Sequence, residues 1–463
     1  MIRWILVSPA LAGERAIGQC SGSEPQKGGA VRKTKVIALA AVVLVAVTAA
    51  LATSVGSAGT TRTALQSKKC AFTLRIGDVL PFTGGLAAYG ANLDRAVKVG
   101  IGLQNAALKQ TGLSKQIQVK LVGSEDGQTQ ATAAVEATTK LVKSNHANVI
   151  IGEMASGATI PMAQSVTIPN HIVQISPTAS APQISDIADN GYLWRAYPSD
   201  TLQGTVLAQA VIDAFGKGAT VNVGARNDAF GVALKQLFVT QFTKLGGKVG
   251  VNISWNPDQA NFDSEMGQLV GGSPKGWVII DFPETFQKYA ASLVRTGKWD
   301  ASRTFMTEAL RNTTVLDAIG SPVVGLRGTA ASAAGGPAGA SFAAYWKTHV
   351  KGAKPYTGFE GTALDAVNVA FLAALRGCSS SPAKIKTNLV AVSGPPGVKV
   401  TYLQMAKAIK LIRAGKEVDY EGAFSPVDFD SHGDIGSAVF EIWKYSSAGK
   451  IDTLKTVTFR GSP

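Results

Sequence analysis

From residue 72 onward the chain alternates short apolar runs with longer amphipathic stretches. In Phe72-Thr73-Leu74-Arg75-Ile76-Gly77-Asp78-Val79 the residues Phe72, Leu74 and Ile76 alternate with polar or small ones, the period of a strand, and the run stops at Pro81. Leu93, Ala96, Val97, Gly100, Ile101 and Ala107 recur at helical spacing and predict a helix over 93–108. Ile117–Leu121 predicts a second strand and the alanine-rich stretch 129–142 a second helix. Asn148-Val149-Ile150-Ile151 and Ile172-Val173-Gln174-Ile175 are short β-branched runs, the kind buried on both faces of a parallel sheet.

The alternation restarts after Tyr192-Leu193-Trp194-Arg195. Strands are predicted at 220–223, 248–255, 277–281 and 304–306, with helices between them at 201–215, 231–245, 262–269 and 286–295. Strands separated by helices of this length indicate parallel sheets built from right-handed βαβ units. Two such series are too many for one small sheet, so the pattern predicts an α/β protein of two similar lobes with parallel central sheets. Residues 323–415 are mostly helical (342–350, 364–375, 403–414) with one strand near Gly325-Leu326-Arg327-Gly328. The last forty residues or so hold two alternating strands, 425–429 and 438–445, joined by Asp430-Ser431-His432-Gly433-Asp434. Neither terminal stretch buries a core alone, so each completes one of the lobes.

The one long apolar run lies upstream, from Val36 to Ala52, directly after Arg32, Lys33 and Lys35. It ends in the small residues Thr53-Ser54-Val55-Gly56-Ser57-Ala58, which suit a signal peptidase, with Ala58 as the last residue removed. The alternative is an uncleaved anchor helix. A run this short and this rich in Ala and Val, against a hydrocarbon core about 30 Å thick, favours cleavage. Glu14, Glu24 and a Gly/Ser/Pro stretch precede the basic cluster and do not fit a signal, so translation is expected to begin at Val31. Residues 1–58 are therefore read as extension and signal, and the protein as extracytoplasmic: periplasmic, cell-surface or secreted.

Composition narrows the classes. Of 463 residues 46% are hydrophobic and 16% charged, which excludes disorder as the dominant state. Without residues 1–58 the chain keeps 39 Lys and Arg against 29 Asp and Glu, spread thinly, with no basic run longer than Lys68-Lys69. A nucleic-acid partner would require clustered basic residues, so none is expected. Of the three cysteines, Cys20 falls in the discarded segment. Cys70 and Cys378 remain in an oxidising compartment, either bridged or as two separate thiols.

Enzyme motifs are missing. No glycine-rich phosphate loop and no Gly-x-Ser-x-Gly elbow occurs, and His146, His171, His349 and His432 lie far apart without metal-ligand spacing. No catalysis, metal or cofactor is expected. Ligands of open α/β sheets bind beyond the C-terminal strand ends. Three such junctions are rich in small residues and hydroxyls: Pro81–Gly90, Gly152–Thr159 and Ser176–Pro182. Small residues let a ligand approach the backbone, and Ser and Thr supply orientable donors, so a carboxylate is the natural guest. Helix capping by Ser and Thr is the other reading of any one loop.

Those loops resemble the bacterial branched-chain amino-acid (leucine/isoleucine/valine) binding proteins, the extracytoplasmic receptors of ABC importers. The resemblance runs over about residues 72 to 455 and rests on an ordered series of small motifs. These are Pro81, Thr83, Gly84, Ala87, Tyr89 and Gly90; Ile151, Gly152, Ser156 and Thr159; and Ser176 to Pro182. Pro198 to Gly204, Asn227 to Gly231 and Phe429 to Asp434 complete the series. It implies the type I periplasmic binding protein fold: two Rossmann-like lobes joined by three crossovers, closing on ligand like a Venus flytrap. Crossovers are expected near Ala196, Val323 and Tyr420, giving one lobe of 72–195 plus 325–418 and a second of 196–324 plus 419–463.

Carried over by position, the resemblance implies that Ser156 and Ser180, with the backbone at Met154, Ala155, Thr178 and Ala179, hold an α-carboxylate. Tyr89, Phe230 and Phe282 would line the cleft, and Glu308 would pair with the ligand ammonium, its alternative being a helix-cap glutamate at the surface. The function implied is a monomeric solute-binding protein. It captures a branched-chain or other amino acid, or a related amide or aromatic acid, for a membrane permease. Two rivals are a membrane-anchored sensor with the same fold and a secreted α/β enzyme. Phe230, where the family has Tyr, and Phe282, where it has another cleft aromatic, lack hydroxyls, and Met154 and Gly157-Ala158 differ in volume from a typical aliphatic pocket, which turns the expected guest away from leucine itself.

Overall fold

The computed structural model describes residues 70–333, 338–447 and 449–460. The expected extension and signal, 1–58, lie outside the described residues. Two sheets organise the chain. The first holds β1 (Phe72–Leu80), β2 (Ile117–Asp126), β3 (Val149–Gly152), β4 (Val173–Ser176) and β5 (Leu193–Arg195), all parallel, in the order β2-β1-β3-β4-β5. β3 and β4 are buried along their whole length, as their unbroken apolar runs require.

The second sheet holds β6 (Thr220–Arg226), β7 (Lys248–Trp255), β8 (Gly276–Ile280), β9 (Thr304–Met306) and β10 (Arg327–Ala331) as parallel neighbours in the order β7-β6-β8-β9-β10. A two-stranded parallel ribbon, β11 (Val398–Val400) and β12 (Val418–Tyr420), stands apart. β13 (Ser437–Tyr445) and β14 (Ile451–Arg460) then extend the second sheet beyond β10 as antiparallel strands.

The chain passes between the two lobes three times: after β5, after β10 and after β12. The second passage differs from expectation. The strand predicted at Gly325 begins at Arg327 and pairs with β9 and β13, so residues 325–331 belong to the second sheet and the return to the first lobe follows Ala331. The strand predicted at 425–429 does not form either. Two isolated bridges, Glu421 to Pro426 and Phe429 to Ile435, take its place. Pro426 has no N–H to donate, and the Asp365 carboxylate captures the N–H groups of Ala423 (2.7 Å) and Phe424 (3.0 Å).

Long helices fill the first lobe. The helix Ala87–Gln110 packs on Phe359–Arg376, a helix buried along almost its entire length. Gln104 secures the pair by donating to the Val367 carbonyl and Asn368 Oδ1 at 3.1 and 3.0 Å. The start of Ala87–Gln110 presses on the end of β1, where a Cβ on Gly90 would lie 2.1 Å from the Pro81 carbonyl oxygen. Only glycine permits that approach, and it is what brings the adjacent Tyr89 to the seam between the lobes.

Two covalent or ionic clamps hold the frame. Cys70, just ahead of β1, is joined by a disulfide to Cys378, just past the helix Phe359–Arg376, with Cα atoms 5.4 Å apart. At the first passage Arg195 is fully buried and its guanidinium grips Asp434 through Nε (2.6 Å) and one terminal nitrogen (2.9 Å). Its other terminal nitrogen donates to the Ala181 carbonyl at 2.9 Å. The first and third passages are thereby tied together. Among the described residues no helix is long and apolar enough to cross a membrane.

Candidate functional site

The strand ends of the two sheets face one cavity of about 290 Å³. Leu86, Met154, Ala155, Ser156, Thr178, Ser180 and Phe359 line it from the first lobe, and Phe230, Phe282, Glu308 and Ala309 from the second. Eight of the ten residues singled out from the sequence are therefore gathered around one space. Tyr89 and Ala179 are not among the lining residues. Tyr89 is buried beside the cavity: its hydroxyl donates to the Ala309 carbonyl at 2.8 Å and its ring meets Phe359 edge-on at 5.1 Å. Ala179 turns into a small apolar cluster with Ile184 and Leu193, and its N–H goes to Ser176 Oγ at 3.0 Å. That N–H is spent on the loop rather than presented to a guest.

The loops after β3 and β4 lock each other. Ser156 Oγ accepts the N–H groups of Ser180 (3.2 Å) and Ala181 (3.1 Å). A hydroxyl has two acceptor positions and one donor. With both acceptor positions filled, Ser156 faces the cavity as a donor only, a match for a carboxylate oxygen. Thr178 Oγ1 donates to the Met154 carbonyl at 2.8 Å, and Ser180 Oγ donates to Asp200 Oδ2 at 3.0 Å.

Beneath Met154 and Ala155 lies Glu153, a residue the sequence reading passed over. It is fully buried and one carboxylate oxygen accepts the Ala155 N–H at 2.6 Å. Burial outweighs the backbone donors around it and pushes its pKa up to about 8. It stiffens the loop from below in place of a backbone group.

The second lobe supplies rings and an acid. Asp228 caps the helix Ala229–Lys244 by accepting the Gly231 N–H at 2.9 Å, which fixes Phe230 in the first turn. Phe230 and Phe282 stack with centroids 5.2 Å apart. The Arg226 guanidinium lies 3.7 Å over the Phe282 ring and pairs with Asp228 at 2.5 Å and Asp281 at 3.3 Å. Arg226 thus holds the aromatic wall in place and is itself neutralised.

Glu308 stands on a short turn after β9, 6% exposed, and accepts a hydrogen bond from Gln203 Nε2. Burial raises its pKa to about 7. No Lys or Arg lines the cavity. Asp200, buried nearby, is raised well above the usual carboxylate range, first by burial and then by the Glu308 charge. An acid in such surroundings is stabilised by a cationic partner.

Leu86, Ala309 and Phe359 complete the lining and were not anticipated, since an apolar side chain carries no chemical signal until the lobes meet. Among the described residues no group of His, Cys, Asp and Glu is placed to hold a metal ion.

A family model described as periplasmic binding protein matches residues 73–438. The chain is 24% identical over 362 residues to a chemotactic signal transduction system substrate-binding protein, BasB, of Halobacterium salinarum, covering 76% of this chain and 82% of that protein. Its fold is similar to that of a leucine binding protein, LivK, from Thermotoga maritima, with a TM-score of 0.66 at 18% identity over 83% of this chain and 98% of that one. It is also similar to a solute binding protein of an R. palustris ABC transporter solved with benzoate, with a TM-score of 0.64 at 19% identity over 84% and 98% of the two chains.

Proposed function

Because the chain belongs to the periplasmic binding protein family, we propose that it is the exported receptor of an ABC importer and captures a small amino acid for a membrane permease. A single observation carries the ligand class. One cavity presents a hydroxyl restricted to donating, on Ser156, and a buried carboxylate with no cation beside it, on Glu308. The first suits a carboxylate and the second an ammonium group, so a zwitterion satisfies both. Between them Leu86, Met154, Phe230, Phe282 and Phe359 offer an apolar and aromatic surface for the side chain.

Closure needs no chemistry: a guest held by both lobes shifts the open–closed equilibrium by its differential affinity for the closed form. The receptor acts as a monomer in this reading.

The test is a thermal-shift and calorimetric screen of the purified protein against L-leucine, L-phenylalanine, their amides and benzoate. Ligand at one hundred times its Kd stabilises by about 2.7 kcal/mol. A zwitterionic amino acid should give the largest shift and Glu308→Gln should remove it. Benzoate binding with no amino-acid binding would overturn the assignment.

A second reading, in which the same capture feeds a signalling partner, is favoured by the relative whose name assigns it to a chemotactic system. Loss of ligand uptake on deletion of the gene supports the importer. Loss of ligand-directed behaviour with uptake intact supports the sensor.

A further inference from the structure

A second cavity, of about 410 Å³, opens at the seam between the lobes. The contact of Tyr89 with Ala309 sets its place: Ala88 and Asn92 line it on one side, and Arg311 to Thr314 on the other. Lys354 to Thr357, whose backbone is bonded to Asn92 Oδ1 at 3.1 Å, closes the first-lobe side.

Its chemistry is opposite to that of the ligand cavity. Two cationic side chains, Arg311 and Lys354, line it and no acidic one does. Arg311 is only 23% exposed, and Glu441 stands 2.5 Å from its Nε as a steering ion pair. Among the described residues its terminal nitrogens have no partner, and the Lys354 ammonium has none either. Thr314 Oγ1, also in the lining, is buried without a hydrogen-bond partner. Glu360, the first-lobe acid bonded to Asn92, is already satisfied by Asn92 Nδ2 (2.7 Å) and the N–H groups of Thr357 (2.9 Å) and Gly358 (3.0 Å). The guanidinium donors that Glu441 leaves free, an ammonium and an unpartnered hydroxyl, all lining one space with no acidic side chain in its wall, suit a tetrahedral or planar oxyanion.

We propose that this seam cavity binds a small phosphate- or carboxylate-bearing anion that bridges Arg311 of the second lobe and Lys354 of the first. Such an anion touches both lobes only when they are closed. It therefore favours the closed form and, by linkage, tightens whatever the ligand cavity holds. The inference rests on the seam alone and stands whichever guest that cavity takes.

Calorimetric titration of the purified protein with inorganic phosphate and, separately, with succinate tests it, at ionic strength held constant with NaCl. Wild type should bind at least one of the two saturably at one site, the two arms separating phosphate from carboxylate chemistry. Lys354→Gln, an exposed substitution that leaves the fold alone, should weaken binding at least tenfold. Arg311→Gln should weaken it further, and Lys298→Gln, at an exposed lysine elsewhere, should not change it. Equal binding by wild type and Lys354→Gln, or no saturable binding of either anion by wild type, would overturn the proposal.

Discussion

The hydroxyl of Tyr89, on the first lobe, donates to the carbonyl of Ala309, on the second, 2.8 Å away. Both groups are buried, and the bond exists only while the lobes are together. Tyr89→Phe keeps the ring and its edge-on contact with Phe359 but removes the donor. A neutral hydrogen bond is worth about 0.5–1.5 kcal/mol net, so ligand affinity should fall about two- to tenfold, with scattering in solution showing a larger open fraction. Unchanged affinity would mean that closure does not depend on this contact.

Ser156 links two loops and lines the cavity. Ser156→Ala strands the N–H groups of Ser180 and Ala181 and deletes the donor. Buried unsatisfied groups cost about 1–3 kcal/mol, so the ligand-free protein should melt several degrees lower. Affinity should fall more than tenfold for a carboxylate guest. Ser156→Thr, which keeps the hydroxyl, should recover most of the stability.

In the proposed role of Glu308 as partner of a ligand ammonium, its pKa of about 7 gives binding a pH dependence of definite sign. Only the ionised form pairs with an ammonium. Affinity for an amino acid should therefore be flat above about pH 7 and fall about tenfold for each unit below it. Calorimetry between pH 5 and 8 measures the slope, and Glu308→Gln should abolish it.

The ligand-free fold should be more stable in mild acid than in mild base. Glu153 (about 8), Glu308 (about 7) and Asp365 (about 7) are all raised by burial. Each holds its proton in the folded state over a range where the unfolded chain, with carboxyl pKa values near 4, has released it. The folded state then binds more protons, and stability falls as pH rises from about 4 to 8. Melting temperatures recorded across that range, without ligand, should decline. A rise would indicate that these carboxyls are ionised at neutral pH.

Opening the disulfide between Cys70 and Cys378 should lower stability, by about 2–5 kcal/mol for a native bridge. Reduction, or Cys70→Ser, should lower the melting temperature while leaving ligand affinity within about twofold, because the bridge lies within the first lobe. A matching loss of affinity would show that the bridge also shapes the cleft.

Much of this was legible in the sequence. β1 to β4 and β6 to β9 announced themselves as short apolar or alternating runs, whereas β5 was too short to stand out and was not assigned as a strand. The hydroxyl-rich junctions at Ser156 and Ser180 stood out because their residue types have a chemistry. β10 was harder to place, since Gly325-Leu326-Arg327-Gly328 carries no sign of which sheet it joins. Pro426 ended a strand that alternation alone had suggested. Phe359 and Ala309 acquired a role only through the meeting of the lobes, and Ala179 lost its expected one because Ser176 reached its N–H first. The seam cavity gathers residues from Ala88 to Ile451, a spacing no linear motif can show.

The bridge from Cys70 to Cys378 also decides where a pull on the leading segment of the chain is felt. Any tug from upstream stops at Cys70, the point at which the first lobe is stapled to its own central helix. A load applied ahead of Cys70 would thus reach the first lobe before the second.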